Sequence, residues 1–450
     1  MLPVMRKGLQ WGVGLVCLAL ALAGSPARGS DLLSWRAQQN QVDAQIQKWE
    51  LPQLLKKIAT VTGWKVYVQP GATDDVSAKF KSLPQDEALR RLLGKLNYFK
   101  DETNGVTRLF VFRTTSAAAT ELVKAEVKDY RIHNELVVKL KHGATNSIDQ
   151  LAAKLGAKVI ARDDKMGLYR LQFADGSVAD AGLQSLASDP SVAAVGGNNV
   201  VDRPAPVQLT PTGATGPSFN LNPPAVNGAI VGLVDTEVNP PAEFQKYTMT
   251  PINVAGSATP PTDQPSHGTS MLETLLGSMS ADPSMVLPVN VYGAGESTTT
   301  YDVMEGIIAA VNAGANPINL SLGGTGNSSV LQSLIDEATQ KGIQFVAAAG
   351  NTPGTENTYP AAYPGVLAVT ASDPNGQLAS YADDGSFVKA MAPGTQVVEW
   401  DGQSWIIQGT SPATATMTGT IAQLENLNHI SVQEAASRAI QTHPPPLVAH

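Results

Sequence analysis

Ala229-Ile230-Val231-Gly232-Leu233-Val234-Asp235-Thr236 is an unbroken apolar run that stops on a carboxylate. A strand with one face in water alternates apolar and polar residues, whereas a strand covered on both faces is apolar throughout. The run therefore predicts a central strand of a parallel sheet. Further strands are expected at 285–291, 317–322, 343–348, 366–370 and 405–407, with helical patterns in most of the gaps. That alternation predicts an α/β fold, with a mostly parallel, doubly wound sheet over 228–450. Ligand sites in such sheets lie at the carboxyl ends of the strands. Asp235, Gly323 and Asn351 fall at such ends, and His267 and Ser411 at predicted helix starts.

Short motifs punctuate this half in a fixed order: Val234-Asp235-Thr236, His267-Gly268-Thr269, Ala349-Gly350-Asn351 and Gly409-Thr410-Ser411-Pro412-Ala413. Each is weak alone in a chain rich in small residues. Together, in the order Asp, His, Asn, Ser, they resemble the subtilisin-like serine proteases (the subtilase family), over roughly the last half of the chain. The order Asp, His, Ser separates that family from the chymotrypsin and α/β-hydrolase arrangements. A serine hydroxyl is a poor nucleophile until a base takes its proton, and histidine titrates near neutrality. The resemblance implies Ser411 as nucleophile, His267 as base, Asp235 as the group that orients the imidazole, and the Asn351 amide with the Ser411 N–H as oxyanion donors. It also implies that Ser321, Leu322 and Gly323 pair with extended substrate, and that Ala348 and Gly350, within 347–350, form a wall of the main specificity pocket. Small residues there suggest a broad preference for large apolar side chains.

Structural roles compete with each assignment. Asp235 could cap a helix or form a turn, His267 could be a surface or capping histidine, and Asn351 after Gly350 could sit in an ordinary turn. Ser411 before Pro412 reads as an N-cap with proline at the first helical position, which is compatible with chemistry. The sequence also departs from the family at Glu237, where glycine is usual, at Pro412 in place of methionine, and at Thr416 in place of histidine. A Glu237 carboxylate facing the imidazole would favour its charged form.

Residues 1–29 carry Arg6 and Lys7, an apolar run from Trp11 and small residues near Ala27, the three-part pattern of a secretory signal. Its run is too short to span a bilayer comfortably, so no transmembrane segment is expected after cleavage. Export is implied, to the periplasm, the outer membrane or the medium. Cys17, the only cysteine, lies inside that run, so no disulfide framework is expected. Residues 40–115 read as a small α+β domain: Leu51, Leu54, Leu55 and Ile58 recur at helical spacing, Trp64, Val66 and Val68 alternate, and Leu89, Leu92, Leu93 and Leu96 share a face. Thr62-Gly63-Trp64-Lys65-Val66 and 86–93 resemble the short N-terminal domain of secretins and TonB-dependent receptors. That resemblance implies docking to an envelope or secretion-system partner.

After an Ala/Thr-rich joint at 114–120, residues 130–202 read as β-α-β-β-α-β, the split ferredoxin-like unit. Ahead of a subtilisin-like half it resembles that family's N-terminal propeptide, which implies a zymogen. Residues 203–227, rich in Pro, Thr, Gly and Asn, read as a linker open to self-cleavage.

Ordinary globular composition, a net charge of -8 and no basic stripe argue against a nucleic-acid partner. Protein or peptide substrates are implied instead, hydrolysed by an endopeptidase. No metal is required for this chemistry. Structural calcium, frequent in the family, finds no Asp/Asn-rich loop at ligand spacing. The rival from another class is a catalytically degenerate protease fold that serves as a binding or assembly protein of the bacterial envelope. An enzymatic rival, the sedolisin-type peptidase with acidic residues in place of histidine, is opposed by His267-Gly268-Thr269.

Overall fold

The computed structural model describes residues 32–36, 41–103, 106–123, 129–204, 210–211, 221–223, 228–352 and 357–446. The signal read at 1–29 and most of the 203–227 segment lie outside them. The chain divides into two units, Met1–Glu126 and Val127–His450.

The first unit contains β1 (Leu32–Arg36), β2 (Gln41–Glu50), α1 (Leu51–Thr62), β3 (Lys65–Val68), β4 (Asp75–Leu83), α2 (Gln85–Leu93), β5 (Asn97–Thr103), β6 (Val106–Phe112) and β7 (Glu121–Val123). They form two sheets, ordered β1-β2-β4 and β5-β6-β3-β7. Leu51, Leu54, Leu55 and Ile58 of α1 are fully buried, as their spacing predicts. Helix α2 stops at Leu93, where the Gly94 N–H takes the Arg90 carbonyl, so Leu96 is buried from beyond the helix rather than on its face. The expected joint at 114–120 is instead a short turn, Ser116–Ala118, leading into β7. Strand β7 pairs antiparallel with β3 and covers an edge that would otherwise present unpaired backbone groups.

The second unit begins with β8 (Arg131–Leu140), α3 (Ile148–Leu155), β9 (Lys158–Asp163), β10 (Leu168–Gln172), α4 (Gly176–Ala187) and β11 (Val192–Asp202), in the β-α-β-β-α-β order read from the sequence. The sheet order is β11-β8-β10-β9, with antiparallel neighbours. Ser147 and Gln150 form a capping box on α3, and the Asp175 carboxylate accepts from Ser177 N and Val178 N at the start of α4. Past Asn199, β11 leaves β8. Val200, Val201 and Asp202 then pair with Thr299, Thr298 and Ser297 of a later strand.

The remainder comprises β12 (Thr210–Pro211), β13 (Ile230–Asp235), β14 (Ile252–Asn253), α5 (His267–Ser278), β15 (Met285–Asn290), β16 (Ser297–Thr299), α6 (Thr300–Asn312), β17 (Ile318–Leu320), α7 (Ser329–Gln340), β18 (Phe345–Ala348), β19 (Val366–Ser372), β20 (Ala390–Pro393), β21 (Thr395–Trp400), β22 (Gln403–Gln408), α8 (Thr410–Asn428) and α9 (Val432–Thr442). Seven strands, ordered β14-β15-β13-β17-β18-β19-β20, make one sheet whose neighbouring pairs are all parallel. Leu320, Val289 and Phe345 pack with Ile307 and Leu334 of α6 and α7. Val231 and Leu233 pack with Leu272 and Leu275 of α5, so β13 is covered on both faces as its apolar run requires.

The strand expected at 405–407 is part of β22, but not of this sheet. It forms an antiparallel hairpin with β21. Asp401 and Gly402 both have positive φ, 48° and 71°, and this Asp-Gly corner turns the chain back on itself.

Candidate active site

Asp235 ends β13 and is fully buried. His267 is the first residue of α5 and 8% exposed. Its Nδ1 lies 2.7 Å from Asp235 Oδ1, and the same oxygen accepts the Thr236 N–H at 2.6 Å. Ser266 caps the helix: its hydroxyl oxygen accepts the Thr269 N–H at 3.1 Å while the hydroxyl donates to the Glu237 carbonyl at 2.6 Å. The Gly268 N–H donates to Thr236 Oγ1 at 2.8 Å. A Cβ on Gly268 would stand 2.6 Å from the Thr236 carbonyl, so the glycine after His267 lets the helix start touch the strand end. Asp235 Oδ2 and His267 Nε2 are buried without hydrogen-bond partners. Burial, and after it the Asp235 charge, push the Tyr292 phenol well above its ordinary pKa.

Ser411 is 4% exposed and is the second residue of α8. The N-cap is Gly409 rather than Ser411, and Pro412 is the third helical residue rather than the first. Proline is tolerated there because the first turn's N–H groups have no intrahelical acceptor. The same rule leaves the Ser411 N–H without an intrahelical partner. Ser411 Oγ donates to the Ser321 carbonyl at 3.2 Å, and Ser321 Oγ donates to the Ser411 carbonyl at 3.1 Å. Asn351 Oδ1 accepts from Thr410 N at 2.8 Å and from Thr410 Oγ1 at 3.0 Å. The amide oxygen is thereby spent and the NH2 group left to donate. Gly350, with φ +120°, donates its N–H to Thr410 Oγ1, and a Cβ there would meet Asp383 Oδ2 at 2.1 Å.

The chain thus brings Asp235 to His267, Ser321 to Ser411, and Asn351 to the residue before Ser411. Leu322 and Ala348 are buried, and Gly323 and Gly350 half-buried, at the ends of β17 and β18. Glu237 does not face the imidazole. Its carboxylate, 6% exposed, pairs with the Arg203 guanidinium. The sequence reading missed Arg203, which lies 34 residues away in a segment read as linker, and Thr410, whose hydroxyl looked like one more small residue. Among the described residues, no group of three or more His, Cys, Asp or Glu could hold a metal ion. None of the described helices is long and apolar enough to cross a membrane.

Residues 226–443 match the subtilase family, and residues 116–198 match the fervidolysin N-terminal prodomain. A thermostable alkaline protease of Halalkalibacterium halodurans is 33% identical over 265 residues, covering 54% of this chain and 70% of that one. Subtilisin Savinase of Lederbergia lenta is 31% identical over 217 residues, covering 45% of this chain and 78% of its own length. Among solved structures, fervidolysin of Fervidobacterium pennivorans, a keratinolytic enzyme related to subtilisin, superposes with a TM-score of 0.54 at 19% identity, over 69% of this chain and 57% of that one. At that identity the likeness speaks for the fold alone, which is subtilisin-like.

Proposed function

The chain belongs to the subtilase family, a serine protease made with a prodomain, and from that premise we propose that it is an exported endopeptidase working through Asp235, His267 and Ser411. The observation that carries the reading is the 2.7 Å contact between buried Asp235 and His267, which leaves Nε2 open to receive a proton. Ser411 Oγ attacks the peptide carbonyl carbon, and its proton passes to His267 Nε2. Asp235 holds the imidazole in the right tautomer and stabilises its cation. The new oxyanion takes hydrogen bonds from the Asn351 NH2 and the Ser411 N–H. The C–N bond breaks as the imidazolium protonates the departing amine. Water then repeats the cycle on the acyl-enzyme, again through His267.

In this reading residues 130–202 are the inhibitory propeptide, 203–227 the segment to be cut and 228–450 the peptidase domain. No metal enters the chemistry. Ser321, Leu322 and Gly323 offer backbone to extended substrate, and Ala348 and Gly350 bound a pocket for large apolar side chains. The signal pattern at 1–29 supports export, and the 40–115 domain, by its sequence resemblance, docks to an envelope or secretion-system partner.

The test is intact mass over time for the chain without its signal, beside Ser411→Ala. Wild type should lose an N-terminal piece ending between about 199 and 227 while the variant stays whole. If both stay whole and a fluorophosphonate fails to label wild type, the proposal falls and a binding or assembly role replaces it.

A further inference from the structure

The Arg203 side chain fills a built receptor that the proposed reaction does not use. Its Nη2 meets the Glu237 carboxylate, and its Nη1 donates to the Gly293 carbonyl at 3.3 Å and the Gly295 carbonyl at 2.9 Å. The guanidinium carbon lies 5.8 Å from the centre of the Tyr292 ring. One carboxylate, two carbonyls and an aromatic ring suit the planar, many-donor guanidinium better than a lysine ammonium. Glu237 is 6% exposed, and a carboxylate buried to that degree is costly unless a cation meets it. It stands where the family usually has glycine, two residues after Asp235, and its own carbonyl accepts from the cap of the His267 helix.

The backbone of Arg203 arrives as that of a bound peptide would. Val200, Val201 and Asp202 pair antiparallel with β16, and the Arg203 N–H continues the ladder to the Glu296 carbonyl at 2.9 Å. Every wall of the receptor, Glu237, Tyr292, Gly293, Gly295 and Glu296, comes from the peptidase part. The arginine comes from the segment that follows the prodomain. An extended chain in the same register would present its own side chain to the same carboxylate.

We propose that this cradle is an arginine-selective subsite of the peptide-binding cleft, filled by Arg203 in the uncut chain and by a substrate arginine afterwards. The proposal rests on the peptidase reading. It adds a charged specificity determinant at a position separate from the apolar pocket beside Ala348 and Gly350.

The test uses the full chain, incubated until its mass stops changing, on a peptide library with each position varied in turn. One position should favour Arg over Ala by roughly ten- to hundredfold in kcat/KM, the range expected for a hydrogen bond to a charged group, with Lys in between. Glu237→Gln should lower turnover of the Arg peptide at least about tenfold more than that of its Ala counterpart, most of the preference in wild type. If peptides are cleaved but no position prefers Arg, the cradle is only a structural ion pair, and the subsite proposal falls while the peptidase reading stands. If nothing is cleaved and no fluorophosphonate labels the chain, both fall.

Discussion

Asp235 and His267 sit 2.7 Å apart inside a shell where Thr236, Ser266 and Gly268 each make a hydrogen bond that fixes strand end to helix start. Across the site, Ser411 Oγ donates a hydrogen bond to the Ser321 carbonyl, and His267 Nε2 has no partner. In the proposed reaction the orienting pair is thus assembled before any substrate arrives, while the proposed nucleophile is held by a neutral backbone acceptor. Positioning groups are tied down by local hydrogen bonds that cost little to keep. The groups proposed to exchange a proton, Ser411 and His267, are not joined here, and hydrogen bonds of this kind often tighten only in the substrate complex.

Substitutions can break that contrast. Ser411→Ala or His267→Ala should each lower kcat by about 10^6-fold, because neither can work without the other. Asp235→Asn should cost less, about 10^4-fold, through loss of the correct tautomer. A loss for Asp235→Asn as large as for Ser411→Ala, measured on one peptide, would deny that orientation and attack are separable. Replacing Asn351 with Leu should lower kcat by about 10^2- to 10^3-fold with little change in KM. Thr410→Val removes one of two donors to Asn351 Oδ1 and the acceptor for Gly350 N, so a fall of about fivefold is expected, again in kcat. An unchanged kcat would mean that Thr410 N alone orients the amide.

The smallest effect concerns pH. Burial raises the Glu273 carboxyl on α5 to about 8, and burial likewise raises Glu305 and Glu425 to about 7. These groups hold protons in the folded chain that the unfolded chain has released. Stability is therefore full below about 4.5 and lost as pH rises towards 7 and 8. Between pH 5 and pH 9 the melting temperature should fall, and Glu273→Gln should flatten that fall by about a few degrees. An identical slope in the variant would remove Glu273 from the account.

What the sequence disclosed follows the same division. The β13 run, the order Asp235, His267, Asn351, Ser411 and the β-α-β-β-α-β pattern before them are local signals, written in periodicity and short motifs. Contacts between distant residues were silent. Nothing near Glu237 announces Arg203, and nothing near Ser411 announces Ser321. The edge strand β14 has two residues, too few to show a period, and β20 carries Pro393 at its end. The β21–β22 hairpin did carry a local sign, Asp401-Gly402, which an apolar-run reading passed over.

Strand β11 belongs to one five-stranded sheet, pairing with β8 along most of its length and, at its last three residues, with β16 of the peptidase part. While the chain is whole, the prodomain and the peptidase part are tethered, and the local concentration of prodomain at its docking surface does not depend on how much protein is in the tube. A cut beyond Arg203 would leave every one of these strand pairs intact and change only the molecularity. Release of the fragment then becomes a matter of dilution, so the fraction of the cut chain free of its fragment should rise as total protein is lowered.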